Sequence, residues 1–148
     1  MIPDFLPSGL LPSSEHAASW NEIRARFGGN FQRNDILGGI RLAALALQRA
    51  GCRRLWIDGS FATRKIAPSD WDGCWDSVGV DPTKLDPILK DFSPTGRSRM
   101  KQKYRADLFP SSYMEQGSGL LFLNFFQIDK ATGHPKGILL LDLTGWQP

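Results

Sequence analysis

Apolar positions recur along this chain in two rhythms. Ile36, Ile40, Ala44 and Leu47 fall three to four residues apart, which predicts a helix with one apolar face. Asn34-Asp35 is the expected cap of that helix and Gly51 its stop. Gly38 and Gly39 inside it each cost about 1 kcal/mol relative to alanine. Upstream, Ser19-Trp-Asn-Glu22 is a capping box that opens a short helix to about Phe27, ended by Gly28-Gly29. Elsewhere the rhythm is that of strands: Arg53 to Asp58, Trp71 to Trp75, Lys103 to Phe109, and Gly137 to Leu143 after the turn Thr132-Gly-His-Pro135. Prolines 82, 87 and 94 divide residues 77–97 into loop and short helix. Gly119 to Ile128 fits either a strand or a helix.

Prolines at 3, 7 and 12 make residues 1–18 an extended arm, and its Ile2, Phe5, Leu6, Leu10 and Leu11 predict that it lies on the domain. Residues 19–148 then form a single domain. The order helix, strand, loop, strand and further strands predicts an α/β fold: a small mixed β-sheet with helices packed on it. A hydrophobic content of 41% and a net charge of +3 over 148 residues are ordinary for one globular domain. No basic segment followed by an apolar run marks a signal peptide. The longest apolar stretch, residues 120–128, is too short to span a bilayer. Cys52 and Cys74 form no metal-binding spacing and are expected as buried thiols in a cytoplasmic protein. His16 and His134 lie far apart in loop-like sequence and suggest neither a triad nor a metal cluster.

The candidate chemistry lies where the first two strands meet. Leu55-Trp56-Ile57 leads into Gly59-Ser60, and Asp70-Trp71-Asp72 follows after nine intervening residues. Glycine lets the backbone approach a ligand closely, and serine offers a hydroxyl and an amide to a phosphate oxygen. Side chains alternate along a strand, so Asp70 and Asp72 point the same way, about 6.5–7 Å apart at Cα. Carboxylates so placed suit divalent ions about 3.5–4 Å apart, the spacing of in-line displacement at phosphorus. Asp76 shares that parity but stands about 13 Å beyond Asp72. Arg64 and Lys65, just after the turn, are candidates to meet a triphosphate and neutralise the leaving pyrophosphate. Asp58 is expected to stabilise the turn or to support the site from behind. Trp71 and Trp75 share the face opposite the carboxylates and are expected under the sheet.

Gly59-Ser60, nine residues, then Asp70-x-Asp72 resembles the signature of the nucleotidyltransferase superfamily with the DNA polymerase β-type palm. The closest likeness is to its minimal bacterial branch, which includes nucleotidyltransferase components of toxin–antitoxin systems. The stretch Leu55 to Lys65 with Pro68-Ser-Asp-Trp-Asp72 also resembles a short, uncharacterised family of bacterial and phage proteins with that core. The resemblance implies a nucleotidyltransferase-like fold, Mg2+ or Mn2+ as cofactor, and a nucleoside triphosphate as substrate. It implies Asp70 and Asp72 as metal ligands and a third carboxylate from a later strand. Asp107, in Tyr104-Arg-Ala-Asp-Leu-Phe109, is the candidate for metal binding and for taking the proton of the attacking hydroxyl; a pairing with Arg105 or Lys103 is the alternative. Asp129 and Asp142 are the substitutes. The implied acceptor is RNA or a partner protein, with a cognate toxin or antitoxin as the partner.

The larger members of that superfamily carry a helical domain after the palm, and little of this chain follows Asp107. A non-catalytic interaction or regulatory protein on the same fold is therefore the competing expectation. A third is an RNA-binding module on residues 97–105, which hold five positive charges in nine positions. A solvated helix face is the simpler account of those charges, since charge runs usually lie in water.

Overall fold

The computed structural model describes all 148 residues. In chain order its elements are β1 (Glu15–Ala17), α1 (Trp20–Phe27), α2 (Phe31–Arg49), β2 (Arg54–Asp58), β3 (Trp71–Trp75), α3 (Pro94–Tyr104), β4 (Ala106–Pro110), α4 (Phe122–Phe125) and β5 (Ile138–Asp142). The five strands form one mixed sheet in the order β1-β5-β2-β3-β4. β2 runs antiparallel to both its neighbours, while β3–β4 and β1–β5 are parallel pairs. The fold is thus α/β, with helices packed on a small mixed sheet.

The two faces of the sheet are unlike. Leu55, Ile57, Trp71, Trp75, Ala106, Leu108, Leu139 and Leu141 join the apolar sides of α1, α2 and α3 in the main core. The opposite face carries Trp56, Cys74 and Ile138 under Phe126, a much smaller cluster. Trp71 and Trp75 therefore lie beneath the carboxylate-bearing face, as strand alternation dictates. The Trp71 indole donates to the carbonyl of Tyr104, which ties β3 to the end of α3.

Several boundaries differ from the sequence expectation, each for a local reason. α2 begins one turn early: Asn30, not Asn34-Asp35, is the cap, and its side chain accepts from the Arg33 amide. Asn34 instead accepts from the Gly29 amide and closes the preceding turn. Gly39 is no defect in α2, because a Cβ there would lie 2.3 Å from the carbonyl oxygen of Tyr104. It lets α2 and α3 approach closely. The strand expected from Lys103 begins only at Ala106, and residues 94–104 form α3. Ser93 caps that helix and Pro94 occupies its first turn, where a missing N–H costs nothing. Within 119–128 only the short α4 is regular. The arm at 1–18 contributes β1, and Ile2 and Leu11 sit in the main core.

Candidate functional site

Strand register sets three carboxylates in a row across one end of the sheet. Asp72 of β3 is opposite Asp58 of β2 and opposite Asp107 of β4. Asp70 stands just before β3, half-buried. The row falls on the face away from the main core, because these positions alternate with Ile57, Trp71 and Leu108.

The carboxylates are held differently. Asp58 is 3% exposed and meets the Lys136 ammonium at 3.1 Å. Burial pushes its carboxyl up to about 6, and Lys136 only partly offsets this. Asp107 receives Arg97 from α3 in a two-pronged contact, Nη2 to Oδ2 at 3.0 Å and Nε to Oδ1 at 3.3 Å. Lys101, one helical turn on, adds a contact at 3.4 Å. The expected partners Arg105 and Lys103 are elsewhere, on Asp35 and Asp86. Asp72 stands between these two pairs with no ion pair and no donated hydrogen bond. Burial pushes its carboxyl up to about 6, and the charges of Asp70 and Asp107 push the same way. The charges of Lys130 and Lys136 pull it down only in part.

Gly59 abuts Asp72 directly. Its φ of +82° belongs to the left-handed half of the map, and a Cβ there would lie 2.9 Å from both the amide nitrogen and Oδ2 of Asp72. Only glycine leaves that carboxylate open. Ser60 opens a single 3-10 turn, Ser60–Ala62, and its carbonyl accepts from the Thr63 hydroxyl at 2.6 Å. The buried guanidinium of Arg33, on α2, fixes the loop beyond. It donates to the carbonyls of Phe61 at 2.9 Å and Thr63 at 2.8 Å, and to that of Lys65. A buried cation with its donors so used is a clamp on the Gly-Ser turn.

The basic residues expected at the phosphates are placed differently from that expectation. Arg64 is tied to the arm, donating to the carbonyl of Pro7 at 2.9 Å. Lys65 is exposed. Neither lines the cavity beside the acids, whose volume is about 600 Å³ and whose wall includes Asp72 and Asp107. Its cations are Arg97 and Lys130. Sequence reasoning placed Arg97 in a basic stretch but gave no role to Lys130, Lys136 or Arg33. Lys130 and Lys136 lie in the loop before β5, and their only sequence signal was two lysines flanking a turn. A larger cavity, about 1000 Å³, lies at the other end of the strands, beside Arg54 and Asp76.

The donor set bears on whether a metal fits. No group of three His, Cys, Asp or Glu side chains is disposed to hold an ion as placed. Neither Asp70 nor Asp72 is in an ion pair, and the partly buried, crowded Asp72 feels Lys130 and Lys136 only at a distance. That chemistry suits a divalent cation. Asp107 would complete the set only after giving up Arg97 or Lys101.

Residues 3–142 match a family of unknown function (DUF6932), and the chain belongs to that family. No curated protein and no solved structure matches it. No helix is long and apolar enough to cross a membrane.

Proposed function

We propose that this protein is a metal-dependent nucleotidyltransferase that moves a nucleoside monophosphate from a nucleoside triphosphate to a hydroxyl of RNA or protein. The observation that carries the proposal is Asp72: partly buried, crowded by two carboxylates, in no ion pair, and kept open by a glycine at +82°. Such a group costs folding energy that a catalytic role explains and a structural role does not.

Asp70 and Asp72 would hold Mg2+ or Mn2+, with Asp107 joining once released from α3. The ion supplies Lewis-acid stabilisation of charge on the phosphoryl oxygens. Gly59 and Ser60 offer backbone and hydroxyl to the phosphates. Arg97 and Lys130 supply the positive charge that the cavity wall presents, and exposed Lys65 lies just past the turn. In the transfer, the acceptor hydroxyl oxygen bonds to the α-phosphorus. The bond from that phosphorus to the bridging oxygen breaks, and pyrophosphate leaves with the electron pair. The hydroxyl proton passes to a site carboxylate, Asp107 being the one assigned. A cognate toxin or antitoxin protein, or its RNA, is the acceptor this reading favours. The two cysteines, both buried and unpaired, accord with a cytoplasmic setting.

The test is transfer of label from each α-labelled nucleoside triphosphate, with magnesium, into total RNA and protein of a bacterial lysate. Label with the wild type and none with Asp70→Asn/Asp72→Asn is the expected result. Absence of label from every nucleotide would sink the proposal. One observation favours a second reading, a non-catalytic interaction protein: the double ion pair on Asp107 already neutralises one of the three carboxylates. That reading requires biological function to survive the double substitution.

A further inference from the structure

The carboxylate face continues past Asp107 into the aromatic part of the 600 Å³ cavity. Phe109 follows Asp107 by two residues on the same face of β4, roughly 7 Å along the strand. Its ring stacks on Phe122 with centroids 4.0 Å apart and planes 1° from parallel. Phe92 stacks on Phe109 at 5.7 Å, and Tyr113 meets Phe92 edge-on at 5.6 Å. Phe125 meets Phe122 edge-on at 6.2 Å. Phe92, Phe109, Phe122 and Phe125 are only half-buried and Tyr113 is exposed, although all five line the cavity. Their ring surface is thus partly turned to the cavity. The other end of the same cavity holds Asp72, Asp107, Arg97 and Lys130. One wall suits a flat, apolar ring and the other suits a charged group.

We propose that this cavity takes the nucleoside end of a nucleotide, with the base against Phe122, Phe125 and Tyr113 and the phosphates toward Asp72 and Lys130; Phe109, stacked between Phe92 and Phe122, backs that wall. The position of the phosphates rests on the nucleotidyl-transfer reading; the base pocket is new. Stacking on an aromatic wall accepts any base, since each has a π-face. The pocket therefore selects for a nucleoside over bare phosphate rather than for one base.

Calorimetric titration of the full chain tests this, using the four ribonucleoside triphosphates, the four nucleosides and inorganic tripolyphosphate, each with magnesium. Wild type is compared with Tyr113→Ala and Phe125→Ala. Tyr113 is half-exposed, so its truncation spares the core if the more enclosed Phe125 proves needed for folding. The expected result is nucleotide binding at least about 10-fold tighter than tripolyphosphate, with that margin reduced in both folded variants and tripolyphosphate affinity unchanged. Equal affinity of the wild type for nucleotides and tripolyphosphate would overturn the base pocket and leave the transfer reading standing. Nucleosides that bind and are lost in the variants, with no label transfer, would keep the pocket and remove the transfer reading. Binding of none of these compounds would overturn both.

Discussion

The two ends of β3 carry the same residue in opposite circumstances. At one end Asp76 is 9% exposed, yet it is fully engaged. Arg54 grips its Oδ2 through Nε at 3.0 Å and Nη2 at 2.8 Å, and the Val78 amide donates to Oδ1 at 3.0 Å. Burial raises its carboxyl, but those donors overcome burial and hold it below the usual range. At the other end Asp72 has no donor, two acidic neighbours and a carboxyl pushed up to about 6. The Asp76 end also borders the larger cavity, so cavity size and an unpaired carboxylate point to opposite ends of the strand. An engaged carboxylate stabilises the fold; a destabilised one, kept open by a glycine, points to a ligand.

The comparison breaks most sharply on activity. Asp72→Asn should lower nucleotide transfer by at least about 100-fold, the scale seen when a group stabilising a transition state is lost. Asp76→Asn should leave transfer within a few-fold of wild type, as measured by initial rates with α-labelled nucleotide. Comparable losses in both variants would erase the distinction.

Next in size is Gly59→Ala. The new Cβ would meet the backbone of Asp72 at 2.9 Å in a left-handed conformation, so urea denaturation should show a loss of about 2–4 kcal/mol. Gly79→Ala has a φ of +79° but open space around the new Cβ, and should cost only about 1 kcal/mol.

Stability at pH 7 should then separate the two acids with opposite signs. Asp72 binds its proton more tightly folded than unfolded, so between about pH 4 and pH 6 the native state holds more protons. Its contribution to stability falls as pH rises through that window. Asp72→Asn should therefore stabilise the protein by about 1–2 kcal/mol at pH 7, with the gain vanishing near pH 4. Asp76→Asn should destabilise by about 1–2 kcal/mol at pH 7 through the lost charge-assisted contact. Paired urea titrations at the two pH values read both signs, and a destabilised Asp72→Asn at pH 7 would refute the picture of a strained acid. The smallest effect is expected of Arg97→Ala. Its side chain is 49% exposed and Lys101 remains on Asp107, so melting should report a loss under about 1 kcal/mol.

The strand–Gly-Ser–strand unit was legible because it is local. Alternation alone put Asp72 on the face opposite Trp71 and Trp75, and glycine's freedom marked the turn. α3 was legible only as a solvated helix face over 97–105, and its end was missed because it closes without glycine or proline: Arg105 adopts a left-handed conformation, φ +62°, directly before β4. A helix and strand abutting in that way read as one strand beginning at Lys103. β1 was hidden in the proline-rich arm because three residues carry no period; its pairing with β5 across the chain defines it.

By itself, then, the sequence marked Gly59, Ser60, Asp70 and Asp72 as candidates, since residue type and short-range spacing decide what a segment can do locally. The α/β class was also within its reach, through the alternation of helical and strand periods. Which carboxylates are engaged was decided only in three dimensions. Arg97 and Lys101 reach Asp107 from a helix, and Lys136 reaches Asp58 from a loop far along the chain. Arg64 is drawn to the arm rather than to the cavity wall. The aromatic pocket gathers Phe92, Phe109, Tyr113 and Phe122 from separate segments. Charge pairing and cavity shape depend on distances between segments remote in sequence, and no local pattern encodes those distances.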